Sequence, residues 1–126
     1  VNNIIFQNVS QNSSPVMEMF QLIALKEFKG FNGANNEIII LSDMIQNTNG
    51  ISMYQNNLPS FSTFKKSEYF SKVFTELKKN VSIKLLIIKR DGSRKMQQSK
   101  YFRNFWVEFF MNGNNAEDFK ITFVDG

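Results

Sequence analysis

The sequence predicts an α/β domain with a doubly wound, mostly parallel sheet and helices on both faces. Three observations carry this. Glu37 to Leu41 and Val81 to Lys89 are nearly continuous runs of Ile, Leu and Val, as expected for parallel strands covered on both sides. Stretches with helical spacing of apolar residues alternate with these runs. The resulting order is short strand, helix, strand, helix, strand, helix, strand, and such alternation favours parallel pairing through helical crossovers.

Each element has a local reason. Ile4-Ile5-Phe6 is a short apolar run that reads as a strand. Ser13 or Ser14 before Pro15 marks a helix start, with Pro in the first turn. The helix runs from Val16 to Phe28, with Val16, Met19, Phe20, Ile23 and Phe28 on one side, and Gly30 and Gly33 end it. Glu37 to Leu41 is the next strand. The polar stretch from Gln46 to Ser60 exceeds the usual strand-to-helix connection, which marks it as a functional or mobile loop. Lys65 to Lys79 reads as a helix with the stripe Tyr69, Phe70, Val73, Phe74 and Leu77. Val81 to Lys89 is a strand. Arg90 to Gln98 is a basic loop with an Asp91-Gly92 turn. Ser99 to Met111 is a helix whose aromatic residues Tyr101, Phe105 and Trp106 have the spacing of a packed core. Phe119 to Val124 alternates as a last strand.

The chain of 126 residues supports one domain, spanning 1–126. It holds 15 Lys+Arg against 11 Asp+Glu, with no His and no Cys. Those two zeros exclude a Ser-His-Asp triad, a thiolate zinc site, a disulfide and an iron–sulfur cluster made by this chain alone. No P-loop and no Gly-x-Gly-x-x-Gly occurs, so nucleotide binding by those routes is unsupported. A site can still be built from carboxylates, hydroxyls, amides or an oxygen-bound hard cation. No apolar run reaches the length of a membrane helix. The start, Val1-Asn2-Asn3-Ile4, has no basic region and no long apolar stretch. It does not read as a signal peptide, which favours a cytoplasmic setting. The first residue is not Met, so the chain reads as a piece of something longer.

In a doubly wound sheet, ligands bind beyond the carboxyl ends of the strands. Ser42-Asp43, Arg90-Asp91 and the stretch after Gln46 fall at that end. The basic run Lys89 to Lys95, with Lys100 and Arg103, could meet phosphate. A charged loop is more often simply solvated, and a net charge of +4 is small, so a nucleic-acid partner is not expected.

Three segments resemble the C-terminal part of a von Willebrand factor type A domain. They are the strand Ile38-Ile39-Ile40-Leu41 ending in Ser42-Asp43, the helix opening Asn12-Ser13-Ser14-Pro15, and the aromatic stretch Tyr101 to Phe110. The run Ser42 to Thr48 followed by Tyr54 is similar to uncharacterised bacterial members. The resemblance implies a Rossmann-like sheet and a protein partner. It also implies a metal-ion-dependent adhesion site, in which Mg²⁺ takes oxygen ligands from three loops. On that reading Asp43 is the acid of the third loop, and Ser10, Ser13 or Ser14 supplies the hydroxyl of the second. Many relatives have Gly where Met44 stands.

The family's first loop, Asp-x-Ser-x-Ser, does not occur in this sequence. The resemblance therefore places it, with its strand, upstream of Val1, so the N-terminal portion of the fold is missing. That strand sits beside Glu37 to Leu41, which should then be an exposed edge open to self-association or strand pairing. Two other functions fit the residues less well. One is a Mg²⁺-dependent hydrolase or phosphotransfer domain using Asp43, for which no second acid or base stands at a recognisable spacing. The other is a metal-free structural module that makes contact through Gln46 to Ser60.

Overall fold

The computed structural model describes residues 2–7, 14–27, 36–54, 58–77 and 81–125. Four strands form one sheet: β1 (Asn2–Gln7), β2 (Asn36–Ser42), β3 (Val81–Ile88) and β4 (Asp118–Val124). All pairings are parallel and the order is β1-β2-β3-β4. The α/β character and the parallel sheet are as the sequence predicts.

Among the described residues the layering is one-sided. A sheet whose strands follow chain order takes every step in the same direction. Right-handed crossovers then place all connections on one face. The burial pattern agrees. On β2 and β3, Ile38, Ile40, Val81, Ile83, Leu85 and Ile87 are buried, while Ile39, Leu41, Leu86 and Ile88 between them are only half-buried. The register lines up Ile38 with Ile83 and Phe119, and Ile40 with Leu85 and Ile121. This is the face on which the core lies. Among the described residues the helices cover that face alone, so helices on both faces are not seen there. The reversal of strand order that opens a ligand crevice in a doubly wound sheet is not present among these four strands.

β1 also changes the expected edge. Its register runs from Asn2 opposite Asn36 to Gln7 opposite Leu41. The strand at Glu37 to Leu41 is therefore interior, flanked by β1 and β3, and is not an edge. The place the resemblance assigned to a strand upstream of Val1 is taken by β1.

The helices are α1 (Val16–Glu27), α2 (Phe61–Phe64), α3 (Glu68–Val73), α4 (Arg94–Gln97) and α5 (Lys100–Glu108). On α1 the buried residues are Val16, Met17, Phe20 and Ala24, while Met19 is exposed. The inward stripe is thus rotated from the expected one. Phe28, Gly30 and Gly33 lie outside the described residues.

The helix expected over Lys65 to Lys79 is only the short α3, and a separate short helix, α2, precedes that span. Ser67 Oγ donates to Phe64 O and accepts from Phe70 N–H, ending α2's turn and capping α3. α3 stops at Val73 because Asn114 captures the chain beyond it. Asn114 Oδ1 accepts from Thr75 N–H, and Asn114 O accepts from Leu77 N–H, both at 2.8 Å. Phe74, expected in the core stripe, is exposed at that break.

Ser99, where the expected helix begins, caps α5 by accepting from Phe102 N–H. The helix continues into a π-helical turn over Phe109–Gly113. Phe20, Phe61, Phe64, Phe70, Phe105 and Phe109 meet mainly edge to face, with ring centroids 5.3–6.4 Å apart, the arrangement that ring quadrupoles favour. Phe105 and Trp106 are core, as expected. Tyr101 is not: it is 77% exposed. No described helix is long and apolar enough to cross a membrane.

Candidate functional site

The carboxyl ends of β2 and β3 meet the segment Asp43 to Tyr54 and the turn before α4. Asp43 follows directly on β2 and is 2% exposed. Both of its carboxylate oxygens are engaged. Oδ1 accepts from Ile45 N–H at 3.0 Å, and Oδ2 accepts from Arg90 Nε at 2.9 Å. The Arg90 side chain is 40% exposed, so the acid is sealed in while its guanidinium reaches solvent. A buried carboxylate without a counter-charge would be strongly unfavourable. Arg90 supplies that charge from the end of β3.

Gln97 completes the corner and is fully buried. Its Nε2 donates to Asp43 O and to Ile88 O, each at 2.9 Å, and its Oε1 accepts from Arg90 N–H at 2.9 Å. One amide thus satisfies three main-chain groups where two strands end. This explains why α4 forms in what the sequence presents as a basic loop: Gln97 pulls it against the sheet. From the core side, Trp106 Nε1 donates to Met44 O at 3.0 Å. Met44 has φ +57° and a buried side chain. A left-handed conformation at a non-glycine residue is a local strain, held here by the Trp106 bond and by Met44 N–H donating to Ser42 Oγ.

A second polar cluster lies beside the first. Gln46, also fully buried, accepts from Met17 N–H through Oε1 at 2.9 Å. Its Nε2 lies 3.0 Å from Glu18 Oε1 and 3.0 Å from the Tyr69 hydroxyl. Tyr69 OH donates to Glu18 Oε2 and lies 3.0 Å from Thr48 Oγ1. Burial, and then the hydrogen bond to the Glu18 carboxylate, push the Tyr69 phenol up to about 12. Glu18 stands in the first turn of α1, where a carboxylate also favours the helix dipole. The cluster clasps α1, the segment 46–48 and α3 together. It offers a hydrogen-bonded phenol and a carboxylate, with no nucleophile or metal donor set of recognisable kind.

The stretch expected as a long loop is therefore partly a packed hairpin. Asn47 pairs antiparallel with both Ser14 and Ser52, Ile51 and Met53 are buried, and Met53 N–H donates to Gln46 O. Residues 55–57 lie outside the described residues.

The sequence-predicted site residues are only partly brought together. Ser10 and Ser13 lie outside the described residues. Ser14 is buried and exchanges two main-chain hydrogen bonds of 2.9 Å with Asn47, which sets it against the segment that starts at Asp43. The Asp43 carboxylate bonds to Ile45 and Arg90. Among the described residues there is no group of three or more Asp and Glu placed to hold a metal ion. A cation taking either Asp43 oxygen would meet an atom that is already hydrogen-bonded.

Arg90, Gln97, Gln46 and Tyr69 were not among the expected site residues. Arg90 and Asp91 carried one signal, their position at the end of a strand. Nothing in the sequence marks a glutamine as buried. The basic run is also less free than it reads: Arg90 pairs with Asp43, Lys89 with Asp125 at 3.3 Å and Arg94 with Asp91 at 3.4 Å.

Fold and site together define a parallel α/β domain whose carboxyl-end loops are joined by a buried acid and a half-exposed guanidinium. Comparison with family models, with curated proteins and with solved structures finds no match.

Proposed function

We propose that this chain is a protein-interaction module of the von Willebrand factor type A kind, in which Arg90 neutralises Asp43 in place of a divalent cation. The observation that carries this is the Asp43 carboxylate, buried with one oxygen on Arg90 Nε and the other on Ile45 N–H. A guanidinium satisfies such an acid by charge and hydrogen bonds together. A cation entering at Asp43 would have to displace it.

Two further observations support the family reading. Met44, at the position where many relatives carry Gly, adopts φ +57°, a conformation Gly adopts without strain. The order β1-β2-β3-β4 is also what one half of a doubly wound sheet presents. Strands added beyond β1 in the opposite sense would complete the Rossmann-like winding and bring helices to the second face. The half-buried Ile39, Leu41, Leu86 and Ile88 fit such a cover.

The hydrolase or phosphotransfer alternative needs a reachable Asp43 and a second acid or base beside it. The geometry offers Arg90 and backbone groups instead.

The test is a calorimetric titration of the protein with MgCl2 and with MnCl2. Heats of dilution alone are expected across the millimolar range. A saturable heat in the wild type that Asp43→Asn abolishes would overturn the role assigned to Arg90.

A further inference from the structure

β4 ends the sheet order, so among the described residues no strand lies on its outer side. Its backbone therefore presents a row of N–H and C=O groups there, a template for a further strand. Beside that edge runs a groove of about 460 Å³, lined by Arg103, Val107 and Met111 on one wall and by 118–122 on the other. The three helical-side residues are four apart, so they form a single stripe along α5 into the π-helical turn. Val107, Met111, Phe119 and Ile121 are half-buried, an apolar floor left partly open. Arg103 stands exposed on the helical wall, Lys120 lies on the opposite face of β4 from Phe119 and Ile121, and no ion pair among the described residues uses either.

We infer that this groove takes an extended segment of a partner protein, added as a fifth strand along β4, with alternate apolar side chains in the groove and a carboxylate at Arg103. The inference rests on the reading of the chain as an interaction module, and names its surface and partner class. The strand edge requires an extended occupant, because a helix cannot pair with it. The stretch 118–122 spans roughly 17 Å at about 3.3 Å per residue, enough for two alternate side chains to enter the groove. The charge follows from Arg103, because Asp118 and Lys120 both lie on the other face of β4 and offset each other. The same charge argues against a second copy. An isologous pairing would set one cationic groove against another.

The experiment is selection of a displayed random dodecapeptide library on the full chain, followed by titration of the enriched peptides into ¹⁵N-labelled protein. Enriched peptides should alternate apolar residues and carry an acid. Their chemical-shift changes should concentrate on 103–111 and 118–124. Val107→Glu should weaken binding by about tenfold or more, the loss expected on placing a charge in an apolar contact. Arg103→Glu, at an exposed site that does not threaten folding, should weaken it several-fold, with recovery when the peptide acid becomes Lys.

Peptides that instead perturb 43–54 and 90–97 would overturn the groove while leaving an interaction module in place. Failure to enrich any peptide would overturn both. A dimer in sedimentation velocity that Arg103→Glu changes would reassign the groove to a second copy and overturn the partner class inferred above.

Discussion

Arg90 Nε sits 2.9 Å from Asp43 Oδ2, joining residues 47 apart in the chain at the carboxyl ends of β2 and β3. The acid is sealed and the guanidinium half-open. The pair fixes the corner from which both connecting segments leave the sheet.

Removing the cation should therefore cost more than removing the charge of the acid. Arg90→Met leaves a buried carboxylate without its counter-charge, and about 2 kcal/mol of stability should be lost, below the full penalty for a buried pair because Arg90 is partly solvated. Asp43→Asn keeps an acceptor for Ile45 N–H and should cost less. Urea unfolding of the two variants checks the order; equal losses would count against an electrostatic role for Arg90.

Gln97 is the second element of that corner. Gln97→Leu fills a similar volume but leaves Asp43 O, Ile88 O and Arg90 N–H without their partner. A loss of about 2–3 kcal/mol is expected, because unsatisfied buried groups carry a desolvation penalty. Hydrogen exchange should accelerate first at Arg90 N–H. A variant as stable as the wild type would mean that water replaces the amide.

The Tyr69 cluster makes a pH prediction. The phenol titrates higher in the folded chain, at about 12, than its ordinary value near 10. Its contribution is present in full below pH 10 and is lost as the pH rises through 12. Wild type should therefore lose stability more steeply than Tyr69→Phe across that window, and thermal melts of both at pH 9, 10 and 11 read the difference. Parallel curves would remove the Glu18–Tyr69 bond from the stabilising contacts.

Gly50 tests the same cluster sterically. A Cβ placed there would lie 2.6 Å from the Tyr69 ring. Gly50→Ala should cost about 1–3 kcal/mol, as overpacking does, and Tyr69→Leu in the same chain should recover part of it. Additive losses in the double variant would show that the two residues do not press on each other.

Much of the fold was legible in the sequence. β2 and β3 are apolar runs, β4 alternates, and Pro15 and Ser99 mark the starts of α1 and α5. The one-sided layering was not, because Ile39, Leu41, Leu86 and Ile88 are as apolar as the inward residues between them. A strand with two apolar faces hides which face is covered. The break between α2 and α3 depends on Ser67, whose cap lies inside a stretch with good helical spacing, and on Asn114, 41 residues after Val73. Asp43 stood out in the sequence by its place at a strand end. Its partners did not, since Arg90 and Gln97 reach it only once β2 and β3 lie side by side. The two buried glutamines have no sequence signature at all, because an amide is chosen for a core only by the backbone groups that folding leaves there.

The most direct measurement is Mn²⁺ titration followed by paramagnetic broadening in ¹⁵N-labelled protein, which reads the surroundings of Asp43 residue by residue. With Arg90 on the carboxylate, the amides of Ser42 to Ile45, Arg90 and Gln97 should broaden no more than the exposed amides elsewhere. Selective broadening of that set at low Mn²⁺, abolished by Asp43→Asn, would contradict the substitution of guanidinium for cation.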